Sequence, residues 1–578
     1  MGNNLNIFDD VKKIIIETSL SIGVKDKSLL DKISIEPPRE KMHGDISTNI
    51  SMIASKSLNK SPIDIANIVK SKLLKFNFIK EVDIAGPGFI NLKLDISVWY
   101  NCCKHILNYE DEYGRSDLGK NKTINIEYVS ANPTGPIHIG HARGAVFGDS
   151  LANLLEFSGY NVTREFYIND AGEQVNNLAK SVYIRYLEIF KKKTIAFAEN
   201  LYPGEYLIPV AQDIFNEHGN KYVDAKESEW LPLFRKISIE SMLNLIKKDL
   251  SLIDVKHDIF TSELDIHNEG KIEKVINFLN KKLLLYNGVL DQPKGKLKED
   301  WVSRPQLLFK STIFGDDIDR AMKKADDSWT YFAADAAYHY DKYLRNYSKI
   351  INIWGADHGG YIKRLEGVLS AISDNKIDFD VKLCQLVNLS KDGKPIKMSK
   401  RADNFITMES VVDAVGADVL RFIMLTRRND ASIDFDLAKV KEESKENPVY
   451  YVQYAYARIN SLFEKAKSLK INIGKDFDLT VLVKKEEINI LKLLASWPRF
   501  VEAAAKAQEP HRITIFLNDI ASAFHSLWAK GNEDQNLRYV IENDLVLTSA
   551  RLSMIKAIQI VIGVGFKLIG IKPKEKLK

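Results

Sequence analysis

Residues 131–144 read ANPTGPIHIGHARG, with two prolines, three glycines and two histidines crowded between two periodic segments. Upstream, TINIEYVS (123–130) has the composition of a strand. Downstream, Phe147, Leu151, Leu154 and Leu155 recur at helical spacing, and Gly159 follows as a stop signal. This spacing predicts a helix from near Ile137 to residue 158, with His138 and His141 on one face of its first turn, beside unbonded backbone N–H groups and the positive end of the helix dipole. Such a position suits an anion. Imidazoles there can donate to phosphate oxygens, and Gly140 lets a flat ring lie against the backbone. A strand leading into this kind of turn is where nucleotides bind in open α/β sheets. Two histidines at this spacing also fit a helix surface or half a zinc site, but zinc needs further ligands and no cysteine pair supplies them. GRSDLGKN (114–121) nearly matches a P-loop. Asn121 stands where that motif needs Ser or Thr, and a strand follows rather than a helix, so it is rejected.

Outward from this stretch the chain alternates strand and helix, as a parallel sheet requires. NVTREFYI (161–168) reads as a strand and EQVNNLAKSVYIRYLEIF (173–190) as a helix. After residues 195–305, mostly helical and charged, the alternation resumes with helix YFAADAAYHYDKYLR (331–345), strand KIINIWG (349–355) and helix YIKRLEGVLSAI (361–372). The 195–305 stretch is therefore expected to be an insertion splitting a doubly wound sheet. The expected organisation is an N-terminal α+β module at 1–115, two catalytic halves at 116–194 and 306–380 around the insertion, a loop region at 381–445, and an all-α domain at 446–578.

The 578 residues carry 82 basic and 77 acidic side chains, a net charge of +5, so any nucleic-acid contact must come from local patches. Three cysteines, Cys102, Cys103 and Cys384, offer no disulfide framework and fit a reducing compartment. The N-terminus carries Asp9 and Asp10 where a secretory signal needs positive charge and a long apolar run. The late stretch AIQIVIGVGFKLIGI contains Gln559 and Lys567 and reads as too short to span a bilayer, which needs about 20 apolar residues. A cytoplasmic protein is expected.

NLSKDGKPIKMSKRADN (388–404) carries Asp392-Gly393, suited to a tight hairpin turn, and then Lys397, Met398, Ser399, Lys400 and Arg401. His-Ile-Gly-His early and Lys-Met-Ser-Lys late, across a split βα domain, resemble the class I aminoacyl-tRNA synthetases. IEYVSANPTGPIHIGHARG, REFYINDAGEQVNNLA and SIDFDLAKVKEESKENPVYYVQYAYARI resemble the bacterial arginyl-tRNA synthetases, as do HGDISTN and VDIAGPGFINLKL in the N-terminal module. Asp403 stands where many relatives have Gly, and the tail KPKEKLK is unlike the family's usual ending.

The resemblance implies a Rossmann-type class I catalytic domain, ATP as substrate carrying Mg2+, L-arginine and tRNA(Arg) as partners, no protein-bound structural metal, no membrane partner and a monomeric state. It places His138, His141, Lys397 and Lys400 in catalysis, gripping ATP from opposite sides. Pro136, Gly140, Met398, Ser399 and His358 complete the ATP site. Glu127, Ser130, Ala131, Asn132, His141, Tyr331, Asp335 and Asp357 are implied around arginine. A guanidinium wants a planar, bidentate carboxylate; Tyr331 and Asp335, four apart on one helix face, resemble the family's guanidinium-binding pair, and without that resemblance they read as a solvated helix with a core tyrosine. The N-terminal module and the helical C-terminal domain would hold the tRNA elbow and anticodon, and Tyr454 and Arg458 could stack on bases. Two other classes fit parts of the sequence. A small-molecule nucleotidyltransferase would share the histidine turn but needs neither the lysine motif nor a helical C-terminal domain. A catalytically silent RNA-binding relative would have lost motif residues that are present here.

Overall fold

Residues 131–144 do join a strand to a helix. The computed structural model describes residues 6–38, 40–290, 304–324, 326–396, 406–442, 444, 446–469, 471 and 477–577. One unit comprises Gly119–Glu442 with Ile569–Ile571, and a second comprises Met1–Leu118, Glu443–Leu568 and Lys572–Lys578. In the first we number β1 (Thr123–Glu127), α1 (Ile139–Phe157), β2 (Asn161–Ile168), α2 (Glu173–Lys191), α3 (Glu227–Leu252), β3 (Ile259–Ser262), α4 (Tyr331–Leu344), β4 (Lys349–Gly355), α5 (Ile362–Ser373) and β5 (Asp378–Cys384). The five strands form one parallel sheet in the order β5-β4-β1-β2-β3. Strand order reverses between β1 and β4, so a crevice opens beyond their carboxyl ends, where open α/β sheets bind ligands. Ile124, Asn125 and Ile126 are all buried, as in a strand covered on both faces.

The helix α1 begins at Ile139, later than the spacing predicts, because His138 caps it rather than joining it: the His138 Nδ1 accepts the Gly140 N–H at 3.1 Å. α1 lies close against the chain leaving β1. A Cβ on Gly148 would stand 2.3 Å from Cγ of the buried Tyr128 ring.

β3 falls within the 195–305 stretch and adds the fifth strand to the sheet. The helix Ile208–His218 and α3 pack with α2 around Trp230, Phe234 and Tyr186. Leu285–Gly288, Gln306–Phe309 and Arg320–Ala321 form a separate antiparallel sheet. Beyond β5, strands β6 (Val387–Lys391) and β7 (Lys394–Pro395) form a hairpin, and β6 pairs in parallel with β8 (Ile433–Asp436). Its turn residues, Asp392 (φ 51°) and Gly393 (φ 74°), are both left-handed, the conformation a two-residue hairpin favours. The Asp436 carboxylate accepts the Gly393 N–H at 2.8 Å. Lys397, Met398, Ser399, Lys400, Arg401 and Asp403 lie outside the described residues.

In the second unit, Ile35–Glu36, Ile46–Thr48, Phe89–Leu94 and Ile79–Ala85 make an antiparallel sheet covered by helices. Its helix Ile96–Tyr109 packs on the helices Lys485–Ala495 and Leu545–Leu568. The Tyr100 hydroxyl donates to the Leu482 carbonyl at 2.8 Å, and the Trp497 indole to the Tyr113 carbonyl at 3.1 Å. Leu545–Leu568 corrects the sequence reading of the late apolar stretch: the helix starts upstream of it and, at 24 residues, is long and apolar enough to cross a membrane. Its most apolar window is 72% buried, so it serves as the core of the helical bundle.

Candidate active site

A cavity of about 650 Å³ occupies the crevice at the carboxyl ends of β1 and β4. Its floor carries Glu127 at the end of β1 and Asn352 at the partner position on β4. The chain leaves β1 through a tight turn in which the Ser130 N–H donates to the Tyr128 carbonyl at 3.0 Å. That turn holds Val129 at φ 72° and Ser130 at φ 39°. A β-branched residue there is strained, and such strain persists where the surroundings over-determine it. The surroundings are visible: the Ser130 hydroxyl donates to Glu127 Oε1 at 3.1 Å and accepts the Tyr167 N–H at 3.1 Å.

α4 forms the wall over β1 and β4. Lys342, fully buried, donates to Glu127 Oε2 at 2.7 Å and to Asn352 Oδ1 at 3.3 Å. Beside Glu127, Glu165 on β2 accepts from Asn125, Thr261 and Arg345. Burial would raise its carboxyl, but the Lys342 and Arg345 charges outweigh that and hold it at about 2. His339 accepts from the Asn352 amide at 3.0 Å, and its other nitrogen meets the Asp335 carbonyl at 2.9 Å. Burial pushes this imidazole down to about 3, so it is neutral. One turn earlier, the Asp335 carboxylate accepts from the Tyr361 hydroxyl at 2.5 Å. Burial pushes the Asp335 carboxyl up to about 7, against the Tyr361 hydrogen bond and reinforced by the nearby Glu127 and Glu263 charges.

The opposite side is the amino end of α1. His138 and His141 rings lie 3.9 Å apart between centroids, at cap and third helical positions. The ring laid against Gly140 is that of His138, since a Cβ on Gly140 would come within 2.9 Å of its Cε1. Asn132 links the turn to α2, donating to Gln174 at 2.9 Å and accepting from Asn169 at 2.9 Å. Asp357 and His358, on the short helical turn Ala356–Tyr361, stand 3.6 Å apart and well exposed.

The cavity thus gathers Glu127, Ser130, Ala131, Asn132, His138, Gly140, His141, Tyr331, Asp335, Asp357 and His358. Pro136 is buried and does not line it. Sequence reasoning missed Tyr338, His339 and Lys342. With Asp335 they repeat at helical spacing on one face of α4, a polar stripe on a buried helix that could have been read as a site. Tyr361 and Asn352 had no local signal.

Comparison with known proteins bears on this arrangement. Residues 103–463 match the family model described as tRNA synthetases class I (R), catalytic domain. This chain belongs to the arginyl-tRNA synthetase family. Residues 6–94 match the model described as arginyl tRNA synthetase N terminal domain, and residues 452–577 the model described as DALR anticodon binding domain. The arginine–tRNA ligase of Ruegeria sp. (strain TM1040) is 48% identical over 99% of this chain and 100% of its own length. That of Wolbachia pipientis wMel is 48% identical with the same coverage of 99% and 100%. The Thermus thermophilus arginyl-tRNA synthetase structure superposes with a TM-score of 0.74, covering 99% of this chain and 100% of that one at 17% identity, and bears on the fold alone. The fold is that of a class I synthetase, with a parallel sheet, an N-terminal module and a helical C-terminal domain.

Proposed function

We propose that the cavity beyond β1 and β4 is where this arginine–tRNA ligase binds arginine and ATP side by side. The protein is an aminoacyl-tRNA ligase: ATP, L-arginine and tRNA give arginyl-tRNA, AMP and pyrophosphate. The observation that carries the site assignment is the convergence in one cavity of two carboxylates, Glu127 and Asp335, with the histidine-capped amino end of α1. The guanidinium lies against Asp335 and Glu127, whose oxygens retain acceptor capacity beyond Tyr361, Lys342 and Ser130. The Tyr331 ring, 66% exposed at the cavity mouth, packs on the cation. Ser130, Ala131 and Asn132 border the α-amino and carboxylate end.

ATP lies with its phosphates at His138, Gly140 and His141, with His358 toward the adenosine and Asp357 toward the arginine, and Mg2+ arrives on the nucleotide. The arginine carboxylate attacks the α-phosphorus and pyrophosphate leaves. Donors on α1 and the cations Lys397 and Lys400 stabilise the negative charge as it builds. Holding both reactants in one cavity removes much of the entropic barrier. The terminal ribose hydroxyl of tRNA then attacks the adenylate carbonyl and AMP departs. We place the enzyme in the cytoplasm as a monomer, with no membrane partner. Burial of the long apolar helix in its own bundle supports the absence of a membrane partner. The test is to charge bulk tRNA with each amino acid in turn: arginine alone should be incorporated, and incorporation of another amino acid, or of none, would overturn the assignment.

A further inference from the structure

The turn that carries the histidines is held by groups outside its own strand and helix. Ile137, which precedes the His138 cap, is fully buried, and its N–H lies upstream of α1, where no helical carbonyl can receive it. A buried N–H needs an acceptor. Here it is the Asp249 carboxylate, through Oδ2 at 2.9 Å. Asp249 sits in the last turn of α3 and is itself only 1% exposed. On the other side of the same residue, the Ile137 carbonyl accepts the Met408 N–H at 2.9 Å. These bonds belong to the two planar peptide units that flank the Ile137 Cα, so together they hold both of its backbone dihedrals, and with them the direction in which His138 leaves. Upstream in the same turn, the buried Thr134 carbonyl accepts the Tyr206 hydroxyl at 2.8 Å. Asp249 and Tyr206 both come from the 195–305 stretch, and neither is among the residues lining the cavity.

We infer that Asp249 and Tyr206 are positioning residues for adenylate formation: gripping the histidine turn from behind, they set where it presents His138 and His141 to ATP. The 195–305 stretch thereby takes part in ATP use, besides adding a strand to the sheet. The two grips differ in chemistry. Asp249 has only to accept, so an amide oxygen of the same reach can replace its carboxylate; Tyr206 has to donate, and a phenyl ring cannot. The arginine side of the cavity is held separately, Glu127 by Lys342 and Ser130, and Asp335 by Tyr361. The inference rests on the proposed contact of His138 and His141 with ATP.

Adenylate formation by the full-length enzyme, with tRNA present and ATP and arginine varied separately, tests this. Asp249→Ala should lower kcat/KM for ATP by about tenfold or more while leaving the KM for arginine within about threefold of the parent. Asp249→Asn, which keeps an oxygen for the Ile137 N–H, should stay within about threefold on both. Tyr206→Phe removes one hydroxyl from a half-buried ring and should lower kcat/KM for ATP by about fivefold, so the idea stays testable if Asp249→Ala does not fold. In a His138→Ala background, Asp249→Ala and Tyr206→Phe should each shrink to about twofold or less, because the group being positioned is gone. Equal losses toward ATP and arginine, undiminished effects in the His138→Ala background, or an Asp249→Asn as damaging as alanine would leave these residues a structural role only and overturn the inference. A His138→Ala variant that used ATP like the parent would instead remove the phosphate assignment of the histidine turn, and this inference with it.

Discussion

In the arginine pocket proposed above, Asp335 is the residue on which specificity turns. A guanidinium drawn from water must find an ionised partner, and replacing Asp335 with Asn leaves it only Glu127, whose charge Lys342 already offsets at 2.7 Å. The expected loss in kcat/KM for arginine is about 2 to 5 kcal/mol, read from arginine activation kinetics of a folded Asp335→Asn variant; a change of only a few-fold would contradict the pocket assignment. The pH dependence follows from burial, which raises this carboxyl to about 7 in the empty cavity, whereas an unfolded chain ionises it near about 4. Between those values the folded enzyme holds a proton that the unfolded chain has lost, so this group's contribution to stability falls as pH rises through the window and stays low above it. Asp335→Asn should therefore raise the melting temperature of the free enzyme more at pH 8 than at pH 5. Arginine needs the ionised form, so kcat/KM for arginine should climb toward pH 7 and lose that limb in the variant.

At the scale of elements, the site depends on how closely α1 lies on the chain leaving β1. Gly148 permits that approach to Tyr128, and the Tyr128 hydroxyl is tied in turn to the Lys256 carbonyl at 3.2 Å. Gly148→Ala should cost about 1 to 3 kcal/mol by overpacking a buried contact, seen as a lower melting temperature, with the activity that remains per folded molecule also reduced because His138 and His141 ride on the same helix. Gly144→Ala, whose Cβ would meet nothing within 4 Å, is the matched control and should leave the melting temperature close to the parent's.

For the whole molecule, the family resemblance carries an expectation about order of events: arginine is not activated until tRNA is bound. Binding energy from a remote part of the substrate would then complete the active site, as induced fit requires. Arginine-dependent exchange of pyrophosphate into ATP should be negligible in nuclease-treated enzyme and brisk once cognate tRNA is added; robust exchange without tRNA would refute the ordering and leave the ligase activity standing. Deleting residues 446–578 would be a poor way to ask the question. The helix Ile96–Tyr109 buries Trp99, Cys102, Cys103 and Ile106 in the same unit as those C-terminal helices, so the truncation would strip the core of the N-terminal module as well.

The sequence by itself determined the elements that flank the site and the chemistry they carry. Period and punctuation are local properties, and they set the strands Asn161–Ile168 and Lys349–Gly355, the helix at 331 and the left-handed turn at Asp392-Gly393. Tertiary structure alone decided which side chains converge. His138 became a cap because Gly140 offers its N–H to that ring. Glu127 acquired Lys342, a partner 215 residues away, because β1 and α4 meet only when the sheet is assembled. Arg143 reads in sequence as one more basic residue on a helix, and its two carbonyl partners lie 242 and 285 residues away. Pairings of this kind depend on strand order and on how helices cross the sheet, and no local pattern of residues encodes them.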